Sequence, residues 1–219
     1  AAVGADHALA VGGSGRFRID VQRRQARHAG HPGGRVRQPR LQHLVEVGGR
    51  IGADDQHTLA GLGQRQPGEP FKLLFVGSWM ARKGVDLLAP ILHQLGKGFV
   101  LHYTGGPAAE KDKAHMPPNM IDMGRLQGDD AVVAAMQNAD ALLFPSRSEG
   151  HPLVAIEAMA CGLPIIGMHG SSVSEAVTDG QTGLLCPQND VAAFVTATRS
   201  LAADHARYAR LAQAEIGRA

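Results

Sequence analysis

The sequence predicts an α/β fold, a parallel sheet with helices on both faces, preceded by a poorly structured N-terminal segment. Two observations lead there. From Phe71 onward, short apolar runs alternate with longer amphipathic ones, and no Asn-Gly hairpin signal interrupts them. The strands must then be joined by helical crossovers rather than tight turns. Before that point the texture is different. Residues 1–70 hold ten Arg and no Lys, with five His, seven Gln, thirteen Gly and one aromatic, Phe17. All five Lys lie in residues 71–219, where fourteen acids face twelve bases. Residues 71–219 are therefore read as the folded domain and 1–70 as an irregular segment.

Lys72–Gly77 (KLLFVG) reads as a buried strand stopping at glycine, since a sheet covered on both faces calls for uninterrupted apolar runs. Val85–Leu95 follows as a helix, with a kink expected at Pro90 because proline lacks an N–H and crowds the preceding turn. Phe99–Thr104 is a second strand, closed by Gly105-Gly106-Pro107, and Met120–Met123 a third before Gly124. Asp129 or Asp130 is suited to cap a helix reaching Asn138, with Val132, Val133 and Met136 on one face. Ala141–Phe144 and Pro164–Gly167 are the next strands, flanking a helix with Pro152 at its first position. Leu184–Cys186 is a short extended segment and Val191–Ala203 a closing helix. Gly77, Gly105, Gly106, Gly124 and Gly150 all fall at strand ends. In wound sheets ligands bind there, close to the backbone.

Residues 1–70 show no sustained helical or strand period; Leu41–Val47 and Thr58–Leu62 are the best short candidates. Three readings compete: a basic arm for nucleic acid or phospholipid, a degenerate piece of folded domain, or GC-rich DNA translated out of frame. Scattered arginines with six interleaved acids weigh against the first, and Arg, Gly, His, Gln and Pro without Lys favour the last. Gly12-Gly13-Ser14-Gly15 lacks the preceding strand of a phosphate loop, and His28 and His31 have a spacing common by chance in a His-rich stretch. Neither is assigned a function.

One carboxylate stands out. Between Pro152 and Met168, Glu157 is the only ionisable side chain besides Cys161. Burying it unpaired would cost on the order of several kcal/mol, so it must reach water or bind something. Glu149 lies eight positions earlier in the turn Glu149-Gly150-His151-Pro152, where free N–H groups and a helix dipole suit an anion. The loop Gly77-Ser78-Trp79-Met80-Ala81-Arg82-Lys83-Gly84 sets two adjacent cations before a helix and lacks the Gly-Lys-Ser/Thr order of a Walker loop. Taken alone, Arg82 and Lys83 have a rival, slightly weaker reading as solvated surface cations. Together the loops fit a diphosphate carrying sugars, with cations and amides for phosphate and carboxylates for hydroxyls. No Asp-x-Asp pair is present, so no metal or cofactor is expected.

The segment Glu149-Gly-His-Pro-Leu-Val-Ala-Ile-Glu157 is an E-x7-E signature, followed by Ala158-Met159-Ala160-Cys161-Gly162-Leu163-Pro164. Pro145-Ser146, Lys83-Gly84, Gly105-Gly106 and Thr182-Gly183-Leu184-Leu185 accompany it. With these motifs, residues 71–205 resemble the C-terminal, nucleotide-sugar-binding domain of family-4 (group 1) glycosyltransferases, a Rossmann-like half of a GT-B enzyme. The resemblance implies a retaining, metal-independent transferase, moving a hexose from a nucleotide-diphosphate sugar to a glycan or lipid-linked acceptor in polysaccharide biosynthesis. Lys83 would ground the diphosphate and Glu149 the transferred sugar, the two catalytic assignments; Glu157 would hold the ribose. Gly77, Ser78, Arg82, Gly105, Gly106 and the amides of Gly150, His151, Pro152 and Leu153 would line the donor, with Gly124 and Leu126 near the base. Ser78 stands where the family usually has Arg, so Arg82 is expected to compensate, and His151 where it commonly has an aromatic. The family's N-terminal acceptor domain has no counterpart in residues 1–70. A nucleotide-sugar epimerase and a catalytically silent nucleotide-binding domain are the rival readings.

A formal net charge of +2 is too close to neutral to argue for nucleic acid or an anionic membrane surface, and no nucleic-acid partner is expected. No signal peptide or apolar run long enough to span a bilayer is visible, so a cytoplasmic chain is expected, with peripheral membrane contact left open. Cys161 and Cys186 read as buried thiols, and Met136, Met159 and Met168 as core. His93, His102 and His115 read as ordinary surface or satisfied residues. Glu175 is either a recurring family glutamate or a helix-entry residue.

Overall fold

The computed structural model describes residues 68–216 apart from Pro107, Ala109, Gly150, His151, Ser171 and Ser172. The expectations placed on residues 1–67, and on Gly150 and His151, lie outside the described residues. Within them the chain runs β1 (Phe71–Val76), a 3₁₀ turn (Ala81–Lys83), α1 (Val85–Leu95), β2 (Phe99–Thr104), α2 (Glu110–Lys113), β3 (Met120–Asp122) and α3 (Asp129–Gln137). It continues through β4 (Ala141–Phe144), α4 (Leu153–Ala160), β5 (Ile165–Met168), α5 (Val173–Ala176), β6 (Gly183–Cys186), α6 (Val191–Ala203) and α7 (His205–Ile216). The strands form one sheet in the order β3-β2-β1-β4-β5-β6. All are parallel, with Phe71 opposite Phe99 and Leu73 opposite Ala141 fixing the register at the centre.

The period of two along each strand sends alternate side chains to opposite faces. Leu73, Phe75, Leu143, Ile166 and Met168 meet Leu88, Ile91 and Leu92 of α1, Phe194 and Leu201 of α6, and Tyr208 and Leu211 of α7. Leu74, Leu142, Phe144 and Ile165 meet Val132, Val133 and Met136 of α3 with Ala155 and Ala158 of α4. Two apolar layers thus sandwich the sheet, which is why its strands carry unbroken apolar runs. Side chains such as Leu88 and Phe194 are fully buried, each contributing roughly 1.5–3 kcal/mol. Met136, Met159 and Met168 are core residues, as expected.

Helix α1 has the expected bounds and includes Pro90, whose exposed position leaves solvent able to meet the carbonyl that lacks its N–H. Several local expectations need correction. Gly128, not Asp129 or Asp130, caps α3, and the two acids sit in its first turn, where they favour the positive end of the dipole. Pro152 is the N-cap of α4 rather than its first residue, and β5 begins after Pro164, which has no N–H to give a ladder. The closing helix is α7, not α6. Asp204 accepts a hydrogen bond from the Arg207 amide at 2.8 Å and so starts α7 directly after α6. Among the described residues no helix is long and apolar enough to cross a membrane.

Candidate functional site

Strand order reverses between β1 and β4, so the loops leaving their carboxyl ends diverge at the place where wound sheets bind ligands. Loop 77–84 follows β1, and the segment opening α4 follows β4. Glycines let these strand ends crowd together. The Gly77 amide donates to the Thr104 carbonyl at 3.0 Å, and a Cβ on Gly105 (φ +122) would stand 2.3 Å from the Gly77 carbonyl oxygen. Thr104 Oγ1 donates to the Gly124 carbonyl at 2.6 Å, tying the end of β3 to the end of β2. Gly84, with φ +72, sits so tightly on β4 that a Cβ would stand 2.0 Å from the Pro145 carbonyl oxygen.

That seating delivers Lys83. Its Nζ lies 2.5 Å from Glu149 Oε1, with the Lys83 side chain 16% and the Glu149 side chain 6% exposed. Ser146 Oγ donates to the same Oε1 at 2.6 Å, and Arg82 Nη1 stands 4.0 Å from Oε2. A cation from the β1 loop and a carboxylate from the β4 loop therefore form a partly buried pair across the switch point. Sequence reasoning had given them separate ligand groups; the structure joins them directly. Arg82 faces the same carboxylate, while Ser78 is exposed and its carbonyl accepts from the Met80 amide at 2.8 Å.

The remaining candidates divide by position. Leu153 opens α4 with its side chain 39% exposed, and Pro152 caps it. Leu126 instead packs its partly buried side chain against the apolar layer beneath α3 and α4. Around Gly106 a Cβ would meet nothing within 4 Å. Glu157 is 4% exposed, so little of it reaches water. Burial, followed by the charge of Glu157, pushes the Cys161 thiol up to about 11.

Sequence reasoning assigned no role to Ser146, Thr104 or Arg147. Ser146 carried a signal, three residues before Glu149 in the same turn. Arg147 carried none: its guanidinium forks onto Asp86, Nη1 to Oδ1 and Nη2 to Oδ2 both at 2.7 Å, across 61 residues of sequence. That bond holds the Asp86 carboxyl below its usual range.

Residues 70–204 match the sequence profile of the family described as glycosyl transferases group 1. The chain belongs to the group 1 glycosyltransferases. An uncharacterized glycosyltransferase of Methanocaldococcus jannaschii is 35% identical over 120 residues, covering 53% of this chain and 34% of the relative. A glycogen synthase of Mycobacterium tuberculosis is 34% identical over 156 residues, covering 66% of this chain and 37% of the relative. This glycosyltransferase chain thus spans about a third of the length of the curated relatives it matches. Among solved structures, sucrose-phosphate synthase of Thermosynechococcus elongatus superposes with a TM-score of 0.61 at 26% identity, over 70% of this chain and 41% of that one. HepE of Anabaena, solved with UDP and glucose, gives 0.59 at 17% identity over 80% and 46%, a likeness of fold. The family and the Rossmann-like sheet read from the sequence both stand.

Proposed function

We propose that residues 71–219 form the donor-binding half of a retaining, metal-independent transferase that moves a hexose from a nucleotide-diphosphate sugar to a glycan or lipid-linked acceptor. The observation that carries this reading is the Lys83–Glu149 pair at the carboxyl ends of β1 and β4. Lys83, with Arg82 beside it, offers positive charge to a diphosphate at a strand-end switch point. Glu149 offers carboxylate oxygens to sugar hydroxyls. Glu157, in α4 eight residues after Glu149, accepts from the ribose diol.

The chemistry follows from those roles. The acceptor hydroxyl attacks the anomeric carbon on the face that the diphosphate leaves; the new C–O bond forms as the old one breaks, and the acceptor proton passes to a phosphate oxygen of the leaving nucleotide. Negative charge grows on that diphosphate, and a fixed ammonium in a partly dry site stabilises it more than water would. Glu149 keeps the ammonium aimed before the donor arrives, so little reorganisation is needed. HepE was solved with UDP, which makes UDP the first nucleotide to try. Titration calorimetry with UDP, GDP and ADP in EDTA should give micromolar to millimolar binding of at least one. No heat with any of the three ends the proposal. A panel of nucleotide sugars, read by donor hydrolysis, then tests turnover separately from binding.

A further inference from the structure

We propose that Arg147 is a positioning residue: it holds the Lys83 loop against the Glu149 turn and so sets the reach of the Lys83 ammonium toward a diphosphate, a role that rests on the donor-binding reading above. One side chain does this through three different segments. Besides its fork on Asp86 in α1, Nη1 donates to the Ala81 carbonyl at 2.5 Å and Nε donates to Asn189 Oδ1 at 2.7 Å. Its backbone amide also donates to the Arg82 carbonyl at 2.9 Å.

Lys83 lies inside this bracket. Ala81 stands two residues before it and Asp86 three after it, both gripped by the same guanidinium, while Glu149 stands two residues after Arg147. The cation and the carboxylate are thus held by a common brace. Asn189 adds a second sign of it: with φ +59 it is a non-glycine residue in the left-handed region among the described residues, a conformation asparagine tolerates better than most, and its amide meets Nε from there. A half-exposed ion pair is ordinarily worth little. Here the geometry matters more than the charge, because a rigid planar fork serves several acceptors in one arrangement that a lysine ammonium cannot reproduce.

The test uses the full chain. Reductive methylation of lysines, read by peptide mass spectrometry, should proceed about tenfold faster at Lys83 in Arg147→Ala than in the parent, with Lys113 unchanged as the exposed control; UDP affinity should fall about tenfold, the factor that ~1.4 kcal/mol represents. Arg147→Lys should not rescue either readout. In the Lys83→Ala background, Arg147→Ala should cost no further UDP affinity, since its effect passes through Lys83. Unchanged Lys83 labelling in Arg147→Ala, or fully additive losses in the cycle, overturns the proposal. Should Arg147→Ala not fold, Asp86→Asn takes its place in the labelling arm. A parent chain that binds no nucleotide diphosphate sinks the donor reading, while the labelling result still decides what Arg147 does to Lys83.

Discussion

Replacing Gly84 by alanine should damage the site far more than a matched glycine elsewhere. Gly84 and Gly180 share nearly the same backbone angle, φ +72 and φ +71. At both, a Cβ in the left-handed region costs about 1–2 kcal/mol, and the entropy that alanine removes from the unfolded chain is the same for each. They differ in surroundings. A Cβ at Gly180 meets nothing within 4 Å, whereas at Gly84 it lies 2.0 Å from the Pro145 carbonyl oxygen and 2.8 Å from the carbonyl carbon. Backbone cannot swing aside as a side-chain tip can, so the loop must retreat by more than ~1 Å to restore ordinary contact, with an overpacking cost of about 1–3 kcal/mol. Gly84→Ala should therefore destabilise by about 2–5 kcal/mol and lower Tm roughly twice as far as Gly180→Ala. Lys83 is the adjacent residue, and in the donor-binding role proposed for it a ~1 Å displacement can cost on the order of 100-fold in rate. Thermal unfolding of both variants, with donor hydrolysis measured on each, checks the two halves. Equal melting points for Gly84→Ala and Gly180→Ala would refute the steric argument.

Three further outcomes are expected. Lys83→Ala should weaken UDP binding about tenfold or more, in line with the loss of a charge-assisted hydrogen bond; titration calorimetry that finds parental affinity removes Lys83 from the diphosphate site. Glu157→Gln should weaken binding of the same ligand while Tm stays near the parent's, and the Cys161 thiol should ionise at lower pH once the neighbouring charge is gone; a fall in Tm with unchanged affinity makes Glu157 structural. Burial raises both thiols, Cys161 to about 11 and Cys186 to about 12, from an ordinary value of 9.0. Between those values the unfolded chain has released protons that the folded chain retains, so stability is full below about pH 9 and falls as pH climbs toward 11 and 12. Denaturant midpoints measured from pH 8 to 11 should decline less steeply in Cys161→Ala than in the parent, relative to their pH 8 values.

Much of the scaffold was legible because its physics is local. KLLFV, ALLF and FVLHYT announce buried strands by composition alone, and α1, β2, β4 and α6 begin and end where the sequence placed them. Helix α7 lies outside the sequence expectation because most of its apolar positions are alanines: among the described side chains Tyr208, Leu211 and Ala212 are the buried ones, the latter two standing three and four residues after the first. That spacing was the available signal. The cap of α3 was misplaced because aspartate serves a first turn almost as well as an N-cap, and only the backbone angles of Gly128 distinguish the two.

The site was legible in its residue types but not in its pairings. The E-x7-E signature fixed Glu149 and Glu157 by their spacing in one turn and helix, and Lys83-Gly84 by its place before another. That Lys83 touches Glu149, 66 residues away, follows from β1 lying beside β4, a strand order that no local pattern encodes. Arg147 shows the same limit: its neighbours in sequence gave no hint that it would brace Ala81, Asp86 and Asn189 together. The amino-acid order thus determined which segments become strand and helix, through apolar period and glycine placement. Tertiary structure alone decided which charges meet, because contact between distant segments is set by how the sheet is wound.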